Sequence, residues 1–354
     1  LPDQTGTIEE MFSGLATSAG SARFAARHAA NSDARFYRPA QGLTLSSLGI
    51  GSYLGAMDDA TDASYGAAVR RALDGGVNVI DTSLNYRHQR SERSIGQAIE
   101  AWIHGGSGAR DEIVVCTKAG FLVPGAIPAN AIRREDVAGG MHCLAPAFLA
   151  DQIERSRQNL GLETIDVFYL HNPETQIGHV SEETFYGRIR AAFELLEHLV
   201  ETGEIRFYGA ATWDGFRKGD PAPPLSLARM EAIAREVAGD GHHFRFVQLP
   251  VNLAMTEALA KPLVEGRTVL ETAADLGVTV VSSASILQAR LSRDLPDEIA
   301  AAMPGLQTDA QRAIQFTRST PGVTTALVGM SKVPHVEENL GVAAVPPLSP
   351  DEFV

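Results

Sequence analysis

Four side chains in this sequence are of the types, and in the places, that proton and hydride chemistry needs: Asp81, Tyr86, Lys118 and His171. Asp81 ends the run Gly76-Val77-Asn78-Val79-Ile80, and Tyr86 follows in Thr82-Ser83-Leu84-Asn85-Tyr86. Lys118 closes the stretch from Glu112 to Thr117, and His171 closes Ile165-Asp166-Val167-Phe168-Tyr169-Leu170. Short apolar runs of this kind read as buried parallel strands. A lysine finishing such a strand is costly to bury alone and implies a carboxylate nearby, for which Asp81 is the natural partner. A tyrosine beside that lysine becomes a usable acid. A unit charge about 4 Å away, at an effective dielectric near 20, is worth roughly 4 kcal/mol or about 3 pK units, so the phenol is expected to fall from about 10 towards neutrality. General acid catalysis works best there. His171 would then orient a carbonyl oxygen. Taken singly, each residue has a plainer reading: Asp81 caps a helix, Tyr86 packs a loop, and a strand-end Lys or His is structural. Four at successive strand ends are hard to explain that way.

The elements that must hold these residues alternate along the chain. Phe36–Pro39 and Leu43–Leu45 read as a hairpin, and Ser47–Ser52 as a first buried strand whose glycines allow close backbone approach. Helix-then-strand pairs are expected at 61–75 and 77–81, 91–103 and 112–118, 146–160 and 164–170, and 184–202 and 205–210. Further pairs fall at 225–238 and 244–249, 265–276 and 278–282, and 308–318 and 323–328, with a closing helix over 333–342. Runs such as Ile113-Val114-Val115-Cys116 suit a parallel sheet covered on its outer side. The expected fold is a (β/α)8 TIM barrel with an N-terminal β-hairpin and a non-barrel extension over residues 1–34, the barrel domain spanning 35–354. In such a barrel, chemistry sits at the C-terminal strand ends. A doubly wound fold is the main alternative, but Gly49-Ile50-Gly51-Ser52-Tyr53-Leu54-Gly55 misses the dinucleotide fingerprint by one residue. Long loops near 120–145 and 285–307 both follow strands and would lie on the active face.

Composition narrows the function classes. A formal net charge of −13 disfavours nucleic acid and membrane surfaces as partners. The sequence contains 2 cysteines, Cys116 and Cys143, too few for a disulfide framework, so a reducing, cytoplasmic setting is expected. Residues 1–34 are rich in Ala, Ser and Gly and read as a surface extension or cap. Asp3, Glu9 and Glu10 argue against a transit peptide.

From about residue 35 to 345 the chain resembles the aldo-keto reductase superfamily. The resemblance is carried by Gly76–Thr82, Ser91-Glu92-Arg93-Ser94-Ile95-Gly96, Val115-Cys116-Thr117-Lys118, and Asn159–Asp166 running into Leu170-His171-Asn172-Pro173. Gly203-Glu204-Ile205-Arg206 and Val336-Glu337-Glu338-Asn339-Leu340 extend it. It implies a (β/α)8 barrel, an NADP cofactor with NAD possible, and carbonyl–alcohol interconversion on a small-molecule substrate. The family tetrad falls on Asp81, Tyr86, Lys118 and His171. Cofactor positions implied by the resemblance are Gly51, Ser52, Asn172, Thr212, Gln248, Ser283, Gln288, Arg290, Gly329, Ser331, Lys332, His335, Glu338 and Asn339. Gln248 matches the glutamine that bonds the carboxamide, and Lys332 is placed to meet a 2′-phosphate. The chain departs from the family at Ala211-Thr212, where a Ser-Asn pair is usual, at Ser283, where an aromatic is frequent, and at His335, where a second basic residue is usual.

Three readings follow. The first is an NAD(P)H-dependent carbonyl reductase or alcohol dehydrogenase with Tyr86 as general acid/base. The second is a nucleotide-binding regulatory subunit resembling potassium-channel β subunits, with little turnover. The third, a barrel isomerase or lyase using Lys118 as a Schiff base, leaves Asp81, Tyr86 and His171 without a role. The loop from Phe121 to Pro146, with Leu122, Val123, Pro124, Ile127, Pro128, Met141 and His142, is expected to wall the substrate pocket, and Trp213 to reach it. The residues specify neither the substrate nor the oligomeric state.

Overall fold

The architecture comes from a computed structural model, which describes residues 11–128, 132–218, 225–264 and 266–353. A helix α1 (Ser18–His28) precedes the hairpin β1 (Tyr37–Ala40) and β2 (Leu43–Ser46). Then come β3 (Leu48–Gly51), α2 (Asp59–Asp74), β4 (Val79–Asp81), α3 (Arg90–His104) and β5 (Val114–Ala119). Two short strands, β6 (Val137–Ala138) and β7 (His142–Cys143), lead to α4 (Pro146–Leu160), β8 (Ile165–His171), α5 (Glu182–Glu201) and β9 (Ile205–Ala211). The chain continues through α6 (Leu227–Ala238), β10 (Phe244–Pro250), α7 (Glu257–Ala260), α8 (Val269–Asp275) and β11 (Thr279–Ser283). It ends with α9 (Asp297–Ala302), α10 (Asp309–Ser319), β12 (Val323–Gly329), α11 (Val333–Leu340) and α12 (Pro350–Phe353).

Eight strands close into a barrel in the order β10-β11-β12-β3-β4-β5-β8-β9, with every neighbouring pair parallel. The barrel and hairpin expected from the residue pattern are therefore present. The register decides what meets at the C-terminal end. Gly51 pairs with both Asp81 and Gly329, His171 pairs with Ala211, and Ala211 pairs with Gln248.

Local sequence explains the helix limits. Asp58 accepts from the Thr61 N–H at the start of α2, whose buried stripe is Tyr65, Ala68, Val69, Ala72 and Leu73. Pro146 opens α4, and Gly161 at φ 67° ends it in the left-handed region that glycine adopts freely. Thr308 and Gln311 form a reciprocal capping box on α10. The long loops carry structure that periodicity did not indicate, namely the β6–β7 ribbon in the first and α9 in the second. Two-residue strands and a helix of 6 residues are too short to print a pattern.

The barrel interior is filled by Val79, Val114, Cys116, Val167, Tyr169, Ala211, Phe246, Val281 and Leu327, continuous with Leu43 and Leu45 of the hairpin and Ala16. These last three plug the N-terminal end. Residues 12–28 pack across that same end: the Ala16 N–H donates to Asp166 Oδ1 at 2.7 Å, and the Thr17 N–H to the Asp111 carbonyl at 3.0 Å. Residues 1–10 of the expected extension lie outside the described residues. No helix among the described residues is long and apolar enough to cross a membrane.

Candidate active site

The register of β4, β5 and β8 brings the four sequence-predicted groups together. Lys118 donates to Asp81 Oδ2 at 2.6 Å and to the Thr82 carbonyl at 2.7 Å, while Gln248 Nε2 donates to Asp81 Oδ1 at 2.8 Å. Lys118 Nζ lies 4.9 Å from the centre of the Tyr86 ring. The Tyr86 and His171 rings meet nearly edge to face at 5.8 Å. Ser83 Oγ contacts His171 Nδ1 at 3.1 Å and the Lys118 carbonyl at 3.0 Å, tying the imidazole to the lysine strand.

The turn carrying Tyr86 is strained. Arg87, His88 and Gln89 follow it at φ 50°, 51° and 72°, a left-handed run without glycine. Each such residue costs on the order of 1 kcal/mol or more, and it persists where surroundings hold it. Arg87 supplies that hold, donating to the Ala56 carbonyl at 2.7 Å and to Asp62 at 2.5 Å.

Electrostatics overturn one expectation. The Tyr86 phenol is raised above its ordinary value, not lowered towards neutrality. Burial is the largest cause; the Lys118 charge opposes it, and the Asp81 carboxylate adds to the rise. The ammonium that was to acidify the phenol is engaged by Asp81 at 2.6 Å, whose opposing charge offsets part of its effect and leaves burial to decide the sign. Burial opposes the Lys118 charge as well, but Asp81 and Tyr86 hold its pKa above the ordinary lysine value. His171 is pushed well below its usual range, by burial first and then by Lys118 and His142. At neutral pH the site therefore presents an ammonium, a protonated phenol and a neutral imidazole.

The phenol and the imidazole, with Asp81, line a cavity of about 730 Å³, and Lys118 is buried behind them. Of the expected positions, Gly51, Ser52, Asn172, Thr212, Gln248, Ser283, Gln288, Gly329, Ser331, His335, Glu338 and Asn339 line it, as do Asp81, Tyr86, His171, Phe121 and Trp213. Arg290 and Lys332 are exposed and do not. Lys332 instead stands at the N-cap of α11, whose later residues His335, Glu338 and Asn339 reach the cavity. Ser285, Ser292 and Arg293 also line it, and sequence reasoning missed them. The segment turns through left-handed Leu287, Gln288 and Ala289, which brings Arg293 rather than Arg290 to the cavity. With no glycine or proline among residues 284–292, nothing local announced that turn.

Three buried side-chain oxygens on residues that line this cavity have no protein partner: Thr212 Oγ1, Ser285 Oγ and Asn339 Oδ1. Buried polar atoms are normally satisfied, so orphans along one cavity fit an extended polar ligand bonded at several points. Gly329 leaves open space where a side chain would stand. Among the described residues no His, Cys, Asp or Glu cluster could hold a metal ion.

Comparison with known proteins agrees with this architecture. Residues 47–354 match the family model described as the aldo/keto reductase family. The chain is similar to the aldo-keto reductase YhdN of Bacillus subtilis (strain 168), 26% identical over 202 residues, which cover 54% of this chain and 53% of that protein. The chain thus spans about half the length of that relative. It is also similar to a probable voltage-gated potassium channel subunit beta of Arabidopsis thaliana, 25% identical over 328 residues, covering 87% of this chain and 90% of the other. Among solved structures, an aldo/keto reductase from Klebsiella pneumoniae in complex with NADP and acetate superposes with a TM-score of 0.63 at 23% identity, covering 90% of this chain and 92% of that one. The glycerol dehydrogenase AKR11B4 from Gluconobacter oxydans gives 0.61 at 20% identity, covering 90% and 93%. At these identities the structural likeness concerns the fold.

Proposed function

The chain belongs to the aldo/keto reductase family, and from that premise we propose that it is an NADP-dependent oxidoreductase interconverting a carbonyl and an alcohol, with Tyr86 as general acid/base. The observation that carries this reading is the buried Asp81–Lys118 pair beside Tyr86 and His171 at the cavity wall. NADPH, when bound, supplies the hydride. His171, neutral and fixed by Ser83, orients the substrate oxygen. Tyr86 gives its proton to that oxygen as charge develops on it. The resulting phenolate is stabilised by the Lys118 ammonium and regains a proton from solvent. Asp81 keeps Lys118 charged and aimed, with Gln248 as its second donor. In the oxidative direction the proton moves the other way.

Cofactor recognition is assigned to the orphaned Thr212 and Asn339, together with Gly51, Ser52, Asn172, Gln248, Ser283, Gln288, Gly329, Ser331, His335 and Glu338 along the cavity. The complex of the Klebsiella relative with NADP supports this choice of dinucleotide. Lys332, beside the N-terminus of α11, is assigned to a 2′-phosphate, where both its charge and the helix field favour an anion.

The test is NADPH and NADH titration followed by turnover of carbonyl substrates. Tight NADPH binding with negligible turnover of any carbonyl would favour a second reading, a nucleotide-binding regulatory subunit. The similarity to the Arabidopsis potassium-channel subunit over most of both chains is what keeps that reading in play.

A further inference from the structure

One buried arginine fastens two separate parts of the cavity wall. Of the three left-handed residues that follow Tyr86, His88 is exposed and Gln89 half-buried, while Arg87 is only 5% exposed. Its Nε donates to the Ala56 carbonyl at 2.7 Å, and its Nη2 to the Asp58 carbonyl at 3.3 Å and to Asp62 Oδ1 at 2.5 Å. The guanidinium lies 5.5 Å from the centre of the Tyr65 ring. Asp62 is held in turn by Arg90 and by Ser94 Oγ, the latter at 3.0 Å. The guanidinium is thus anchored on α2 and α3, and from there it reaches the loop between β3 and α2.

That loop has little else to hold it. Among the described residues, the main chain over 53–57 makes no hydrogen bond to other main chain. Two side-chain donors fasten it: Arg87 Nε on the Ala56 carbonyl, and the Tyr65 hydroxyl on the Leu54 carbonyl at 2.5 Å. Between these two points Gly55 turns the chain at φ 131°, and a Cβ there would stand 2.8 Å from Thr61 Cγ2. Tyr53, Leu54 and Met57 are each half exposed or more, so side-chain burial does not hold the loop either. Yet Tyr53 and Leu54 line the cavity, and the Tyr53 ring lies 4.9 Å from the Tyr86 ring. The loop is a flap laid against the phenol.

Resting on the oxidoreductase reading above, we propose that Arg87 is a positioning residue for the reaction: one guanidinium holds both the left-handed turn that aims Tyr86 and the 53–57 flap that lies against it. The two tasks need a planar fork, which meets two carbonyls and a carboxylate from separate nitrogens; a lysine places all its donors on one atom. Left-handed backbone without glycine persists only where its surroundings hold it. Without the guanidinium the turn relaxes, and the phenol leaves its place beside Lys118 and His171. Groups assigned to the cofactor at Gln248, Gly329 and Asn339 belong to β10, β12 and α11 and stay in place. Ser52 keeps its own ties, donating to Thr82 Oγ1 at 2.9 Å and accepting at its carbonyl from Ser91 Oγ at 2.8 Å. The loss therefore falls on turnover and not on NADPH binding.

The test uses the full chain with NADPH and 4-nitrobenzaldehyde, propanal and methylglyoxal. Arg87→Ala should lower kcat by about 100-fold, the cost of a small misplacement of a reacting group, with Kd for NADPH unchanged. Guanidinium chloride, well below denaturing concentrations, should then raise kcat of that variant about tenfold by refilling the vacated site. A defect of folding alone would not be repaired by a denaturant cation. Arg87→Lys, which keeps the charge beside Asp62 and guards against loss of the fold, should stay close to Arg87→Ala. Chymotrypsin should cut after Tyr53 or Leu54 about tenfold faster in Arg87→Ala than in wild type. Wild-type kcat in Arg87→Lys, or an Arg87→Ala loss that tracks the unfolded fraction without guanidinium rescue, would overturn the proposal while leaving the oxidoreductase reading intact. An unchanged cleavage rate would overturn the hold on the flap. Failure of the wild type to turn over any of the three carbonyls would overturn both readings.

Discussion

Each end of the barrel holds a buried carboxylate paired with a buried cation, and the two pairs serve different ends. At the N-terminal end Arg110 donates to Asp166 Oδ2 at 2.8 Å, the Val115 N–H donates to the same oxygen at 2.8 Å, and the Ala16 N–H donates to Oδ1 at 2.7 Å. Arg110 also donates to the carbonyls of Thr164 at 2.9 Å and Ile113 at 3.0 Å. Every contact there is to protein, and the pair staples the N-terminal arm to β5 and β8. At the C-terminal end Asp81 and Lys118 are as close, but Asp81 lines an open cavity beside a phenol and an imidazole. Ion-pair chemistry alone does not mark function. What separates the pairs is whether titratable neighbours and open space adjoin them.

The largest expected effect comes from removing the phenol at the open end. Tyr86→Phe should keep the fold and NADPH affinity while turnover drops by roughly 10²–10⁴-fold. A Phe variant with wild-type turnover would take Tyr86 out of the chemistry and leave the two ends equivalent.

At the closed end the cost should fall on stability instead. Arg110→Met leaves Asp166 buried without its cation and should lower unfolding free energy by about 3–5 kcal/mol. Denaturant unfolding measures this, and kcat per folded molecule should be unchanged. If kcat fell while stability held, the ends would not be separable as structural and functional.

An exposed cation, Lys332, should matter less than either of these buried groups. Lys332→Ala is expected to reduce the preference for NADPH over NADH by roughly 5- to 150-fold, corresponding to about 1–3 kcal/mol for a charge-assisted contact. Cofactor titration checks it; an unaltered NADPH affinity would move the phosphate site elsewhere, with Arg293 the next candidate.

The smallest effect concerns pH. Tyr86 is raised above 10.0, so the acid form persists below that pH; His171 is depressed well below 6.5, so the imidazole stays neutral above that pH. The kcat of carbonyl reduction should therefore be flat between about pH 6.5 and pH 10. An alkaline decline centred near pH 7–8 would restore the near-neutral phenol that burial argues against.

Some of this was legible in the chain. Apolar runs ending in Asp81, Lys118 and His171 placed three groups at strand ends, and the expected limits of α4 and β9 lie within a residue of those observed. Gly161 and Pro146 were punctuation visible in any reading. The β6–β7 ribbon, the turn at 287–289 and the four-member relay from Arg188 through Gln176 and His142 to the His171 carbonyl were not visible. Arg188 and His142 are 46 residues apart; Arg188 sits in no pattern that singles it out, and His142, expected in the pocket wall, is fully buried and does not line the cavity.

By itself, then, the sequence determined which side chains end which strands, because burial imposes period and composition on each strand separately. Tertiary structure alone decided the sign of the Tyr86 shift, the choice of Arg293 over Arg290, and the sealing of Asp166 against the placing of Asp81 on a cavity wall. Each of these is a sum over neighbours drawn from several strands and loops. Desolvation depends on everything within a few ångströms of an atom, and a linear chain does not say what that will be until the barrel has closed.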